Sequence, residues 1–62
     1  MKLHTVEPGV LQPGDHVLAA NKDLTIKFID GPDHCGAYDI YGIDQTGKDQ
    51  IVIVTDLVKL YM

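Results

Sequence analysis

Hydrophobic and polar residues alternate along most of this chain, and turn-forming residues interrupt the alternation at short intervals. A repeat of two residues places successive side chains on opposite faces of an extended strand. No stretch combines the helical spacing of apolar residues with a capping residue at its start. The pattern therefore predicts an all-β fold.

Five segments have the β-branched content and the flanking turn residues that are typical of strands. They are His16–Ala20, Leu24–Ile29, Ala37–Ile43, Asp49–Thr55 and Val58–Met62. Residues Met1–Val6 have the composition of a short edge strand. We expect residues 1–13 to form either that edge strand or an arm that covers part of the sheet.

Alternation is clearest in the second of these segments. Leu24, Ile26 and Phe28 are apolar, whereas Thr25 and Lys27 between them are polar. This is the pattern of a strand with one buried face. We therefore predict that the three apolar side chains share the buried face.

Turn residues define the connections between the strands. Asn21–Asp23 has the composition of a polar turn, and Asp30–Gly36 that of a loop. Gln45–Gly47 suits a three-residue hairpin loop in which Gly47 adopts the left-handed conformation. Asp56-Leu57 predicts a tight break, formed as a single 3₁₀ turn before the last strand.

The three-residue loop also predicts the register of the hairpin that it closes. If Asp44 lies opposite Lys48, then Tyr41 lies opposite Ile51, and successive pairs alternate between the two sides of the sheet. One side carries Tyr38, Ile40, Val52 and Val54. The other side carries Tyr41, Ile43, Ile51 and Ile53, with Asp39 and Asp49 at its margin.

Only one of these two sides can form the core of so small a sheet. We assign the core to the side of Ile40 and Val52, because Gly42 also falls there and a tightly curved sheet requires a small residue. The other side is then an exposed apolar patch, which usually marks an association surface. Two alternatives stay open: a β-bulge could reverse the register, or the amino-terminal arm could cover this side.

Chain length, cysteine content and apolar runs limit the number of domains, the stability and the cellular location that we expect. We expect one domain over residues 1–62, with a core that gives only roughly 3–5 kcal/mol of stability. Cys35 is the only cysteine, which excludes an internal disulfide and favours a reducing, cytoplasmic location. No apolar run is longer than four residues, as in Ile51–Val54, which is far shorter than the roughly 20 residues of a membrane-spanning helix, so we expect no membrane segment.

The charge of the chain argues against nucleic acid as a partner. The formal net charge is −4, with nine acidic residues against five basic ones. All five basic residues are scattered lysines, whereas nucleic-acid binders carry a concentrated basic stripe and favour arginine. We therefore expect a protein partner or a second copy of the chain.

The residues that could support catalysis or metal binding are few. The chain has neither serine nor arginine, which excludes a serine nucleophile and an arginine clamp. Asp30, Asp33, His34 and Cys35 are the one cluster of metal-ligand residue types, but zinc sites usually take four ligands with paired cysteines. We expect instead that Asp33 bonds to its own turn. We predict no catalytic residue, no cofactor and no metal.

Three features occur in a characteristic order. A Pro-Gly-Asp entry lies within Leu11–Val17, a tight hairpin surrounds Thr46-Gly47, and a short break precedes the closing strand within Ile53–Leu60. This order, over about 50 of the 62 residues, resembles the SH3-like small barrels, which include KOW and Tudor-like modules. The resemblance implies a single five-stranded barrel with a short 3₁₀ turn before the last strand.

The resemblance does not imply one activity, because this superfold includes peptide binders, ribosome- and polymerase-associated modules, photosystem subunits and a plasmid-borne reductase. The leading hypothesis is a non-enzymatic interaction module, of the accessory or regulatory kind that phages and mobile elements encode. An alternative is an oligomeric enzyme with a shared pore, since Asp49–Ile53 lies where the reductase places its substrate-contacting strand. A second alternative is a nucleic-acid-associated barrel.

Overall fold

The computed structural model describes residues 2–62 and contains one antiparallel sheet of six strands in the order β1-β6-β2-β3-β4-β5. The strands are β1 (Leu3–Val6), β2 (His16–Ala19), β3 (Lys22–Asp30), β4 (Tyr38–Ile43), β5 (Asp49–Val54) and β6 (Val58–Tyr61). The prediction of an all-β fold is confirmed. The expected five strands become six, because Leu3–Val6 does form an edge strand; Met1, included in that prediction, lies outside the described residues.

The connections give the sheet two free edges. Strands β2 to β5 follow one another as a meander, and β6 then returns to pair with β2, placing Val17 opposite Leu60. β1 pairs with the other side of β6. The sheet therefore ends at β1 on one side and at β5 on the other.

The core lies on one face of the sheet. Its fully buried side chains are those of Val17, Leu24 and Ile40. The remaining buried apolar side chains are those of Leu11, Ala19, Ile26, Val52 and Val58. Burial of Ile40 and Val52 confirms the side of the hairpin that was assigned to the core.

Phe28 does not join this core, so the prediction of a shared buried face for β3 is wrong. Ile26 lies opposite Gly42, yet Phe28, two residues later, lies opposite Tyr41. Lys27 is therefore the extra residue of a β-bulge, which reverses the direction of the side chains that follow it. Phe28 turns outward as a result.

The β2–β3 turn is shorter than the predicted Asn21–Asp23. The loop consists of Ala20 and Asn21, whose φ angles are +51° and +63°. Positive φ at both central residues is the geometry of the tight two-residue hairpins that match the twist of the flanking strands. Lys22 and Asp23 consequently belong to β3.

The β4–β5 turn agrees with its prediction. The Asp44 amide donates to the Lys48 carbonyl oxygen at 3.0 Å, and the Gly47 amide donates to the Asp44 carbonyl oxygen at 3.0 Å. Gly47 has a φ of +86°, the left-handed conformation that this loop requires. The loop thus fixes the register of β4 and β5.

The amino-terminal segment covers the core rather than the outer face of the sheet. A 3₁₀ turn at Pro8–Val10 follows β1, and both Pro8 and Leu11 are buried. A Cβ built on Gly9 would lie 3.0 Å from the Tyr38 hydroxyl oxygen, which shows how closely this turn approaches the core side of β4. The alternative of an arm over the outer face is therefore wrong.

The break before the last strand is also different from its prediction. Thr55-Asp56 forms a bend between β5 and β6, whereas among the described residues a 3₁₀ turn lies at Pro8–Val10. Within residues 2–62 there is no helix of the length and apolar character needed to cross a bilayer.

Candidate functional site

The outer face of β4 and β5 carries the residues that the hydrophobic pattern predicts for an association surface. Tyr41 lies opposite Ile51, and Asp39 lies opposite Ile53. Ile43 lies opposite Asp49 at the end of the hairpin nearest the loop. The predicted register is therefore correct at every pair, and the alternative of a bulge between these two strands is wrong.

The side chains on this face differ in how much of their surface meets solvent. Ile51 is 60% exposed, Ile53 is 68% exposed, and Phe28 on neighbouring β3 is 50% exposed. Tyr41 between them is half-buried. We call Phe28, Tyr41, Ile51 and Ile53 the outer patch. Ile43 is half-buried and lies at its periphery.

Phe28 and Tyr41 form the aromatic part of the outer patch. Their ring centroids are 4.2 Å apart, and their planes are inclined by only 15°. An aromatic contact of this kind contributes about 0.5–1.5 kcal/mol beyond the burial of area. Phe28 is absent from the predicted site residues, because the alternation of β3 gives no sign of the bulge at Lys27 that turns it outward.

An ion pair lies at the loop end of the outer patch. Lys27 Nζ is 3.3 Å from Asp49 Oδ1, and both side chains are largely exposed. A shallow groove of about 220 Å³ lies between this pair and the side chains of Phe28, Tyr41 and Ile51. An exposed pair of this kind contributes at most about 1 kcal/mol to stability. The pair also places the charges of Lys27 and Asp49 beside an apolar groove.

The opposite end of the outer patch is negative. Asp30 of β3 lies directly opposite Asp39 of β4. Like charges at opposed positions destabilise a sheet. Asp39 in turn lies opposite Ile53, so the acidic pair borders the most exposed side chain of the patch.

A second surface, at the loop end of the core side, is polar and internally hydrogen-bonded. Asp44 Oδ1 accepts from the Thr46 hydroxyl at 2.6 Å and from the Lys48 amide at 3.0 Å, and Gln50 Nε2 donates to Asp44 Oδ2 at 2.8 Å. The bonds from the Thr46 hydroxyl, the Gln50 amide and the Lys48 backbone hold the pKa of Asp44 well below its usual range. This carboxylate thus stabilises the turn.

A tyrosine–carboxylate contact links the last strand to β3 near this surface. The Tyr61 hydroxyl donates to Asp23 Oδ1 at 2.6 Å, and the Tyr61 ring lies 4.5 Å from that of His16. The hydrogen bond to Asp23 raises the pKa of Tyr61. The contact ties β6 to the β2–β3 hairpin.

In the loop after β3, the Asp33 carboxylate accepts hydrogen bonds from its own turn, as the composition of the loop predicts. Asp33 Oδ1 accepts from the Cys35 amide at 2.8 Å and from the Ala37 amide at 2.9 Å. These two hydrogen bonds lower the pKa of Asp33, and the bond from the Ala37 amide has the larger effect. Cys35 is an exposed free thiol. Among residues 2–62 there is no group of three or more His, Cys, Asp or Glu side chains placed to hold a metal ion.

Comparisons of this chain with family models, with curated proteins and with solved structures found no match.

Proposed function

We propose that this chain is a small non-enzymatic interaction module that binds a protein partner, or a second copy of itself, through the outer patch. The observation that carries the proposal is the exposure of Ile51 and Ile53 beside the Phe28–Tyr41 stack. Contiguous apolar surface on a protein of this size usually marks an association site. Asp39 and Asp49 at its margins would orient the partner through charge.

The size of the outer patch indicates what kind of contact it supports. A large side chain has about 200 Å² of surface, so the exposed parts of Phe28, Ile51 and Ile53 amount to roughly 350 Å². A stable interface buries about 800 Å² on each partner. The outer patch would therefore be the apolar centre of an interface that extends beyond it.

We also propose that the sheet is an SH3-like barrel and that the protein works in the cytoplasm. The strand order supports the first point, because four consecutive strands form a meander and the last strand pairs back with the first of them. The exposed thiol of Cys35 supports the second, since free thiols persist in reducing compartments.

A charge placed in the outer patch tests the interaction. Ile51→Asp would bring an unpaired carboxylate into the apolar contact, and we expect partner retention to fall more than tenfold, since burying such a charge costs several kcal/mol. Val10→Asp is the matched control, because Val10 is also an aliphatic residue with 60% exposure but lies in the amino-terminal 3₁₀ turn.

The measurement is affinity capture from cells of the source organism, with the wild type and both variants as bait and an untagged copy of the chain co-expressed. The partner, or the untagged copy, should be retained by the wild type and Val10→Asp and lost with Ile51→Asp. Circular dichroism checks that Ile51→Asp folds, with a melting temperature at most about 8 °C lower. An identical set of retained proteins for all three baits would contradict the proposal.

A further inference from the structure

Two carboxylates at one end of the outer patch take no part in holding the fold together. Asp30 and Asp39 lie opposite each other on β3 and β4, and among residues 2–62 neither side chain accepts a hydrogen bond or pairs with a cation. Every other aspartate side chain in that part of the protein accepts at least one hydrogen bond. Opposed like charges destabilise a sheet. The two carboxylates are therefore free to bind a group from outside the chain.

Both carboxylates lie on the same face of the sheet as the outer patch. Asp39 precedes Tyr41 by two residues on β4, so both side chains point to one side. Asp30 follows Phe28 by two residues on β3 and lies on that side as well. Two residues of a strand span about 7 Å, and the Cβ atoms of opposed residues are about 5 Å apart. One cationic group can thus reach both carboxylates from a position about 7 Å from the aromatic rings.

The two ends of the outer patch differ in charge. At the loop end, Lys27 Nζ lies 3.3 Å from Asp49 Oδ1, so each charge has a partner. At the other end, the charges of Asp30 and Asp39 are uncompensated. One positive and three negative side chains give the patch a local net charge of −2. Two copies that face each other would double this charge, so the outer patch is not complementary to itself.

We infer that the partner of the outer patch is a protein segment that presents a cationic side chain about 7 Å from a large apolar one. The inference rests on the proposed function and names the chemistry of its partner. The apolar side chain packs on the Phe28–Tyr41 stack and Ile51. The cation lies between Asp30 and Asp39. Arginine suits this position, because its planar guanidinium has five donors and bonds carboxylates in pairs.

This spacing defines a sequence pattern for the partner. In an extended segment, side chains about 7 Å apart on one face belong to residues i and i+2. In a helix, residues i and i+3 or i+4 are neighbours at a similar distance. The partner should therefore carry arginine or lysine two to four positions from a large apolar residue.

A phage-displayed library of random peptides tests this chemistry. The full chain is immobilised as bait, and the enriched peptides are sequenced and compared with those from a blank surface. We expect the wild-type chain to enrich peptides with the basic–apolar pattern. Enrichment of apolar peptides without a basic residue would overturn the inference, as would no enrichment over the blank surface.

Neutral variants of the two carboxylates measure their contribution. A synthetic copy of the most enriched peptide should bind Asp30→Asn/Asp39→Asn roughly four- to thirtyfold more weakly than the wild type, because two exposed charge contacts are lost. Glu7→Lys is the control, since it also changes the formal net charge from −4 to −2 but lies in the amino-terminal segment that covers the core. The control should bind within about twofold of the wild type. An equal loss in both variants would show an effect of net charge alone and would overturn the inference.

Salt and heat give two further readouts on the same variants. Raising the salt from about 50 mM to about 500 mM should weaken peptide binding to the wild type more than to Asp30→Asn/Asp39→Asn. An equal salt effect would overturn the inference. Because the two carboxylates repel each other, the double variant should melt at the temperature of the wild type or up to about 5 °C higher. A clearly lower melting temperature would show that the fold uses these carboxylates, which contradicts their role in binding.

The results separate this inference from the proposed function. If Ile51→Asp enriches the same peptides as the wild type, the outer patch is not the binding site and both fail. If the peptides require Ile51 but carry no basic residue, the proposed function stands and the inference fails. Sedimentation equilibrium of the wild type without peptide tests the remaining occupant. A dimer that Ile51→Asp abolishes would identify a second copy as the partner and would overturn the inference alone.

Discussion

Replacing Gly42 with alanine should destabilise the fold, because β3 leaves no room for a side chain at this position of β4. A Cβ built on Gly42 would lie 2.8 Å from the Thr25 carbonyl oxygen and 3.2 Å from Leu24 Cβ. Neither atom can move independently, since one is backbone and the other belongs to a fully buried side chain. The two strands would have to separate by a few tenths of an ångström around the core.

The expected size of this effect follows from two opposing terms. Overpacking a core typically costs about 1–3 kcal/mol. The loss of backbone freedom in the unfolded chain offsets about 0.4–1 kcal/mol of that. A net loss of about 1–2 kcal/mol corresponds to a melting temperature lower by roughly 5–15 °C for a domain of this size. That is a large share of the roughly 3–5 kcal/mol expected for such a core.

Urea and thermal unfolding, followed by circular dichroism, measure the effect. Gly36→Ala is the control, because Gly36 has a φ of +83° and no atom lies within 4 Å of the position that its Cβ would take, so only backbone strain acts there. A melting temperature of Gly42→Ala within about 2 °C of the wild type would refute the reasoning.

Two further predictions concern the pH dependence of unfolding. The hydrogen bonds from Thr46, Gln50 and Lys48 depress the pKa of Asp44, so the stability that this carboxylate contributes is present above the unfolded pKa near 4 and is lost as the pH falls below it. In urea titrations between pH 5 and 2, Asp44→Asn should therefore lose less stability than the wild type, and an equal loss would contradict this. The hydrogen bond to Asp23 raises the pKa of Tyr61, so that contribution is present below about pH 10 and is lost as the pH rises further. Tyr61→Phe should therefore unfold more easily at pH 7 but lose less stability above pH 10, and an unchanged alkaline profile would show that the bond does not form.

The hairpin of β4 and β5 could be predicted from sequence because one short loop determines it. A three-residue loop ending in Gly47 admits one common geometry, and once Asp44 is opposite Lys48 every later pair follows by counting. Gly42 then distinguishes the two faces, since only a residue without a side chain fits where β3 comes close. Local chemistry was sufficient for both steps.

The outward turn of Phe28 could not be predicted from the alternation of Leu24 and Ile26. One signal was present: Phe28 and Ile29 are adjacent apolar residues, and a strand with one buried face cannot bury both. In the structure, Ile29 packs against the core and Phe28 faces outward. The position of the extra residue depends on how β3 pairs with β4, which is a tertiary property.

The direction in which β1 pairs was likewise beyond local reasoning. Leu3–Val6 has the composition of a strand in any context, but the strand with which it pairs depends on how the 3₁₀ turn at Pro8–Val10 directs the chain before β2. Because Leu11 enters the core, the segment before it reaches β6 and leaves β5 uncovered. The same burial therefore explains both the sixth strand and the exposure of the outer patch.

The energetics of the outer patch show that Ile51 and Ile53 alone do not account for a stable complex. Complete burial of the exposed parts of Ile51 and Ile53 removes roughly 250 Å² from water, which contributes about 6 kcal/mol at 25 cal/mol per Å². Association costs an estimated 4–15 kcal/mol in lost freedom of motion. The two isoleucines alone would therefore give at best a weak complex. The interface must therefore extend beyond the two isoleucines, over the stacked Phe28 and Tyr41 and to the charged margins at Asp39 and Asp49.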